Sequence, residues 1–301
     1  MTARPAHRRT WAVVAVALVV LVAAVIVGSG WRDGPGRDGP GRDGPGPDRH
    51  ASSSTFSHVH GIAVNPTDGK LYVATHHGVV RMSDSEATLV GDARQDTMGF
   101  AVVGQDHFLA SGHPAPGEPG PAHLGLIESR DAGRSWQSVS LSGHADFHVL
   151  RSSGTVTYGL DSTSGTLMAS SDRVTWDTRS QLDAYDLAVD PQRADSVLAT
   201  TQRGLQRSTD GGRTWQPAAG PAAVLLHWLD DERLYAIGVD GRIRRSTDGG
   251  DTWSSTGGTV PDTPAAFTVH GEQLYVATRS GEVRRSVDAG TTWQPLKTSP
   301  S

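Results

Sequence analysis

STDGGRTW, residues Ser208–Trp215, decides the fold because it recurs. SRDAGRSW (Ser129–Trp136), STDGGDTW (Ser246–Trp253) and SVDAGTTW (Ser286–Trp293) share the form S-x-D-x-G-x-[ST]-W. A fifth copy, SSDRVTW (Ser170–Trp176), has lost the Gly and one residue, and Ser83-Asp84-Ser85 marks a sixth, eroded one. The steps from Asp131 to Asp172, Asp210, Asp248 and Asp288 are 41, 38, 38 and 40 residues. Alternating apolar segments that end in a turn stand between the octets: LYVATHHG (71–78), VLATTQRG (197–204), LYAIGVDG (234–241) and LYVATRSG (274–281). A unit of about forty residues with four short strands is the size of one propeller blade. Residues 59–295 have room for six. The expectation is an all-β, six-bladed β-propeller, with seven blades as the alternative; a sandwich would not repeat one octet at near-fixed spacing.

Each octet reads as a turn. A carboxylate beside Gly-Gly or Ala-Gly accepts backbone N–H bonds, and Gly supplies a positive φ. The Trp that closes each copy (Trp136, Trp215, Trp253 and Trp293 five residues after the Asp, Trp176 four) offers a large apolar body to wedge against neighbouring strands. Asp131, Asp172, Asp210, Asp248 and Asp288 are therefore structural. One carboxylate per turn is also a meagre oxygen shell for calcium.

Composition narrows the function. The 301 residues include no Cys, which removes disulfides, thiolate zinc sites and cysteine nucleophiles. The formal charge of −5 is uneven: residues 1–55 carry seven Arg against four Asp, leaving 20 basic and 28 acidic side chains beyond them. A body with a net −8 is a poor partner for phosphate backbones, so nucleic-acid binding is not expected. Residues 1–30 read as a signal-anchor: Arg4, Arg8 and Arg9 precede Trp11–Gly28, 18 residues without a charge. At about 1.5 Å per residue that run just spans a bilayer core of roughly 30 Å, and the arginines predict a cytoplasmic N-terminus. A cleaved secretory signal is the alternative. Residues 31–55, with Arg-Asp-Gly-Pro-Gly repeated from Arg32, Arg37 and Arg42, read as a tether that cannot build a core. Residues 56–301 form the propeller, outside the cytoplasm in either case.

S-x-D-x-G-x-T-W resembles the Asp-box, or BNR repeat, of sialidases, some endoglucanases, sortilin-type receptors and photosystem assembly factors. Residues 56–301, about four-fifths of the chain, resemble exported bacterial Asp-box propellers labelled glycosylhydrolase by similarity, through HVHGIAVNP (58–66), MGF (98–100), ASGHP (110–114), LGLIESRDAGRSW (124–136) and ADFHVL (145–150). The resemblance implies boxes between the third and fourth strands of each blade, and ligand sites on the opposite face. At that face the repeats bring His58 and His60, then Met98, then Asp146 and His148 to the starts of first strands. They bring His77, His113, Asp161, Arg203, Asp240 and Ser280 to the ends of second strands, with His76 alongside. The insertion 112–123 leaves the same edge and is expected to fold over the channel as a lid.

Nine of the 13 His fall within 58–148. Imidazoles with a thioether or a carboxylate suit copper, zinc or iron(II). The expected ligands are His58, His60, His77, His113 and His148, with Met98, His76 and Asp146 as further candidates. His107, His123 and His144 are expected to face solvent.

Three functions stay open. One is a binding or assembly module, anchored in the membrane through the N-terminal helix or secreted, with a metal or small ligand at the channel mouth. A second is a glycoside hydrolase acting on a glycan through Asp146, Asp161, Asp186 or Asp240, with Arg203 and Arg279 binding a carboxylate. Against a sialidase proper, HVHG stands where Arg-Ile-Pro opens a sialidase's first blade. Tyr72, Tyr235 and Tyr275 also fall inside second strands, where they pack. The third is a metal-free scaffold for a protein partner.

Overall fold

The computed structural model describes Phe56 and residues 58–297. The expected anchor and tether, 1–30 and 31–55, lie outside the described residues. Among those described, no helix is long and apolar enough to cross a membrane. Twenty-four strands form six four-stranded antiparallel sheets.

Blade 1 holds β1 (Val59–Val64), β2 (Leu71–Thr75), β3 (Gly78–Met82) and β4 (Ala87–Leu89). Blade 2 holds β5 (Asp96–Gly104), β6 (His107–His113), β7 (Leu126–Ser129) and β8 (Gln137–Ser140). Blade 3 follows with β9 (Phe147–Ser153), β10 (Val156–Asp161), β11 (Thr166–Ser170) and β12 (Asp177–Gln181). Blade 4 is built from β13 (Ala184–Val189), β14 (Val197–Thr201), β15 (Gly204–Ser208) and β16 (Gln216–Pro217). Blade 5 has β17 (Ala223–Asp230), β18 (Arg233–Gly238), β19 (Arg242–Ser246) and β20 (Ser254–Thr259). Blade 6 closes with β21 (Pro264–His270), β22 (Gln273–Thr278), β23 (Val283–Ser286) and β24 (Gln294–Pro295).

The ring has six blades and not seven: β1 neighbours both β5 and β21, and first strands follow one another around the channel. Burial explains the residue pattern. Every residue of β2 and β14 is buried, because neighbouring blades cover both faces of a second strand. The outermost strands β12 and β16 are largely exposed and polar.

Six hydrophobic clusters occupy the six seams between blades. Five of them take in a box Trp, each packed on the blade before its own: Trp136, Trp176, Trp215, Trp253 and Trp293. Trp215 Nε1 donates to Ser180 Oγ at 3.0 Å, and Trp176 Nε1 to Ser140 Oγ at 2.9 Å. The sixth seam, between blades 6 and 1, is filled by Phe56, Ala87 and Leu296 among others. No strand is exchanged across it, since each sheet is built from consecutive strands.

The boxes take their expected place between third and fourth strands. In blade 4, Ser208 Oγ donates to Asp210 Oδ1 (2.7 Å) and accepts from Gly212 N (2.8 Å), while Thr214 donates N–H and O–H to the two Asp210 oxygens. Gly212 has φ +82°, and a Cβ there would stand 2.4 Å from Leu167 Cδ2 of the preceding blade. In the shortened blade 3 copy Arg173 takes the left-handed conformation itself, at φ 66°. In blade 1, Ser83–Glu86 is a plain turn closed by Ser83 N donating to Glu86 O.

Candidate functional site

All six first strands share an irregularity at the face opposite the boxes. Their register slips one or two residues after the strand begins, placing a β-bulge at His60, Met98, His148, Tyr185, Val224 and Ala265. A bulge re-aims the residue that carries it. Four of the six, His60, His148, Tyr185 and Ala265, line the central cavity of about 230 Å³.

Two clusters of two imidazoles and one carboxylate form there. In the first, His60 (β1), His76 (the turn after β2) and Asp96 (β5) bring ligand atoms within 4.8 Å of one another. His60 Nε2 and Asp96 Oδ1 are buried and have no hydrogen-bond partner. His76 Nδ1 lies 2.8 Å from Asp96 Oδ1, yet the contact lacks hydrogen-bond geometry. Burial, and then the neighbouring His76, pull the His60 pKa down to about 4, so its imidazole is neutral at ordinary pH.

In the second, His113 (the end of β6), Asp146 (just before β9) and His148 (β9) converge. His148 Nε2 donates to Asp146 Oδ2 at 2.9 Å, and His113 Nε2 lies 3.5 Å from the same oxygen. His113 Nδ1 donates to Ala122 O at 3.0 Å; a carbonyl only accepts, so the neutral ring keeps Nε2 bare. That arrangement commonly orients a metal-ligating histidine. Asp146 Oδ1 is buried without a partner. Burial alone would push the Asp146 carboxyl up, but hydrogen bonds from His148 and Ser162 hold it below the usual range.

The expected ligands divide unevenly. His60, His113, His148, His76 and Asp146 enter the clusters; His58 stands beside the first, its ring 4.9 Å from that of His76. His77 is exposed, with its backbone N–H on Thr75 Oγ1. The reason is strand length: β2 stops at Thr75, leaving His76 and His77 as the two loop residues before Gly78, whereas β6 and β10 run on through His113 and Asp161. Met98 holds the bulge between the two histidine bulges, so it sits between the clusters in ring order.

His107 and His123 do not face solvent as expected. His107 Nε2 pairs with Glu128 at 3.1 Å, and the His123 ring lies 5.4 Å from that of His113, tilted by 54°; His144 is exposed. Nor does the insertion roof the channel. Leu124 N bonds Gly112 O and Gly143 N bonds His123 O, which lays it along the β8–β9 connection, and none of its residues lines the cavity.

The acidic candidates other than Asp146 have their carboxylates engaged. Asp161 accepts from Asp146 N and from the Thr163 and Ser164 hydroxyls; burial raises its pKa, but these bonds win and lower it. Asp186 binds Arg151 Nη2, Leu187 N and Leu226 N, tying blades 3, 4 and 5 together. Its burial pushes the carboxyl up, against the pull of Arg151. Asp240 accepts from Arg244, which holds it low. Arg203 lines a groove of about 670 Å³ beside His148, and Arg279 N bonds Thr263 O outside either cluster.

Asp96, Arg151 and His227 were not singled out in the sequence. DTMG (96–99) set against DFHV (146–149) would have flagged Asp96, because both place an Asp two residues before a bulge. Nothing in the sequence points to His227, which lines the cavity and whose pKa is drawn down to about 3 by burial and then by Arg151.

The BNR/Asp-box repeat family matches residues 206–217, the box of blade 4. No curated protein matches the sequence. Among solved structures, a gluconolactonase from Xanthomonas campestris superposes at TM-score 0.58 and 14% identity, over 75% of this chain and 85% of its own. A chain of a nidogen/laminin complex does so at 0.57 and 12%, over 75% and 92%. A GH74 enzyme from Niastella koreensis gives 0.53 and 18% over 79% of this chain, which spans 37% of that enzyme. At these identities the likeness is one of fold: the chain is a six-bladed β-propeller that carries a BNR/Asp-box repeat match.

Proposed function

We propose that this propeller is an extracytoplasmic binding or assembly module, anchored by its N-terminal segment, that holds a transition metal (copper, zinc or iron) at the channel mouth. One observation carries the reading: His60 Nε2 and Asp96 Oδ1 are buried, lack a hydrogen bond and converge with His76. Buried polar atoms normally have a partner, so each such pair calls for an explanation. A cation accepting both lone pairs supplies one, and imidazole with carboxylate suits zinc, copper or iron(II). The His113 tautomer supports the same chemistry on the other side of the mouth.

The full chain, purified without a histidine tag from metal-supplemented medium, is expected to carry copper, zinc or iron by mass spectrometry. A His60→Ala/His148→Ala variant should lose it. Less than about a tenth of an equivalent of any transition metal, with none taken up on titration, overturns the reading. Turnover of a fluorogenic glycoside that Asp146→Asn abolishes would favour the glycosidase instead.

A further inference from the structure

The two clusters share two of their three positions, one blade apart, and differ in which blade supplies the third. Each combines a residue at or after the end of one blade's second strand (His76, His113) with an acid at the start of the next blade's first strand (Asp96, Asp146). Each is completed by a bulge histidine, His60 from blade 1 and His148 from blade 3. The first spans the seam of blades 1 and 2, the second that of blades 2 and 3. Both bulge histidines line one cavity.

They are not equals. His60 is 18% exposed and His148 41%. His148 also borders the groove of about 670 Å³ between blades 3 and 4, whereas no residue of the first cluster does. An ion held by His60, His76 and Asp96 would adjoin the central cavity through His60 and not the groove. One held by His113, Asp146 and His148 would have an open side.

From this we infer that the mouth binds two transition-metal ions in non-equivalent centres: the His60–His76–Asp96 centre retains its ion, and the His113–Asp146–His148 centre exchanges its ion through the adjoining groove. The inference rests on the metal reading above and adds the number of ions and their division of labour. Each centre has three protein ligands, but only the second adjoins the groove, from which a further ligand can enter, the arrangement in which metals exchange or meet an outside ligand.

Cobalt(II) titration of the metal-free full chain, followed by visible absorption, counts the centres without any variant. Two equivalents are expected, with affinities at least about tenfold apart. After loading, a chelator should strip one equivalent quickly and the other slowly. In His113→Ala/His148→Ala the fast equivalent should vanish and the slow one stay; His76→Ala/Asp96→Asn should do the reverse. A single equivalent in the wild-type chain overturns the two-centre inference and leaves the metal-binding reading standing. No binding overturns both. If the fast equivalent survives in His113→Ala/His148→Ala, the division of labour is wrong even with two ions bound.

Discussion

Blades 1–3 and blades 4–6 share one backbone plan and use its two edges in opposite ways. Blades 4–6 carry three intact boxes, and their bulges hold Tyr185, Val224 and Ala265. Blades 1–3 carry one intact box, one shortened copy and one plain turn, yet their bulges hold His60, Met98 and His148. The difference teaches that the box edge and the mouth are independent. A box closes on its own turn and the preceding blade, with two whole strands of sequence between it and the bulge, so a turn can erode without touching the mouth.

The sharpest way to break that comparison is to remove a wedge from the regular half. Trp215→Ala takes an indole from the seam of blades 3 and 4, together with its hydrogen bond to Ser180. Thermal unfolding should show a loss of about 3 kcal/mol, with the metal uptake proposed for the mouth unchanged. Loss of metal in that variant would show that the two edges are coupled.

A second variant tests the channel between the halves. His227 has a folded pKa of about 3 against an ordinary 6.5. The unfolded chain therefore binds the proton more readily between those values, and His227 makes stability fall as pH drops below about 6.5. In His227→Gln the acid slope between pH 7 and 5 should flatten by about 2 kcal/mol, read from denaturant unfolding at each pH. An unchanged slope would mean that the ring meets bulk water.

The smallest effect belongs to the eroded box. Asp84 sits on an exposed turn and pairs with Arg285 across the closing seam at 2.8 Å. Asp84→Ala should change stability by less than about 1 kcal/mol. A larger loss would mean that this ion pair, rather than the apolar cluster around Phe56 and Leu296, holds the ring closed.

Much of this was legible in one dimension. The box octets set the blade count, because a turn that needs Asp, Gly and Trp at fixed offsets leaves a mark at every repeat. His60, His113 and His148 could be assigned to one face, since the repeat phase fixes which end of a strand a residue occupies. The same reasoning misplaced His77, because phase does not report where a strand stops: β2 ends two residues earlier than β6 relative to the shared pattern. It also treated the histidines as one set, where the ring divides them between two seams.

The sequence by itself determined an all-β ring of six repeated units, box turns on one edge and a concentration of histidine on the other, since these follow from local turn chemistry and periodicity. Only the tertiary structure decided which imidazoles meet which carboxylate. Asp96 reaches His60 and His76 from a neighbouring blade, and Arg151 reaches Asp186 in the same way. Such contacts depend on the angle between sheets and on a one-residue slip at each bulge, and neither is written in the spacing of residues along the chain.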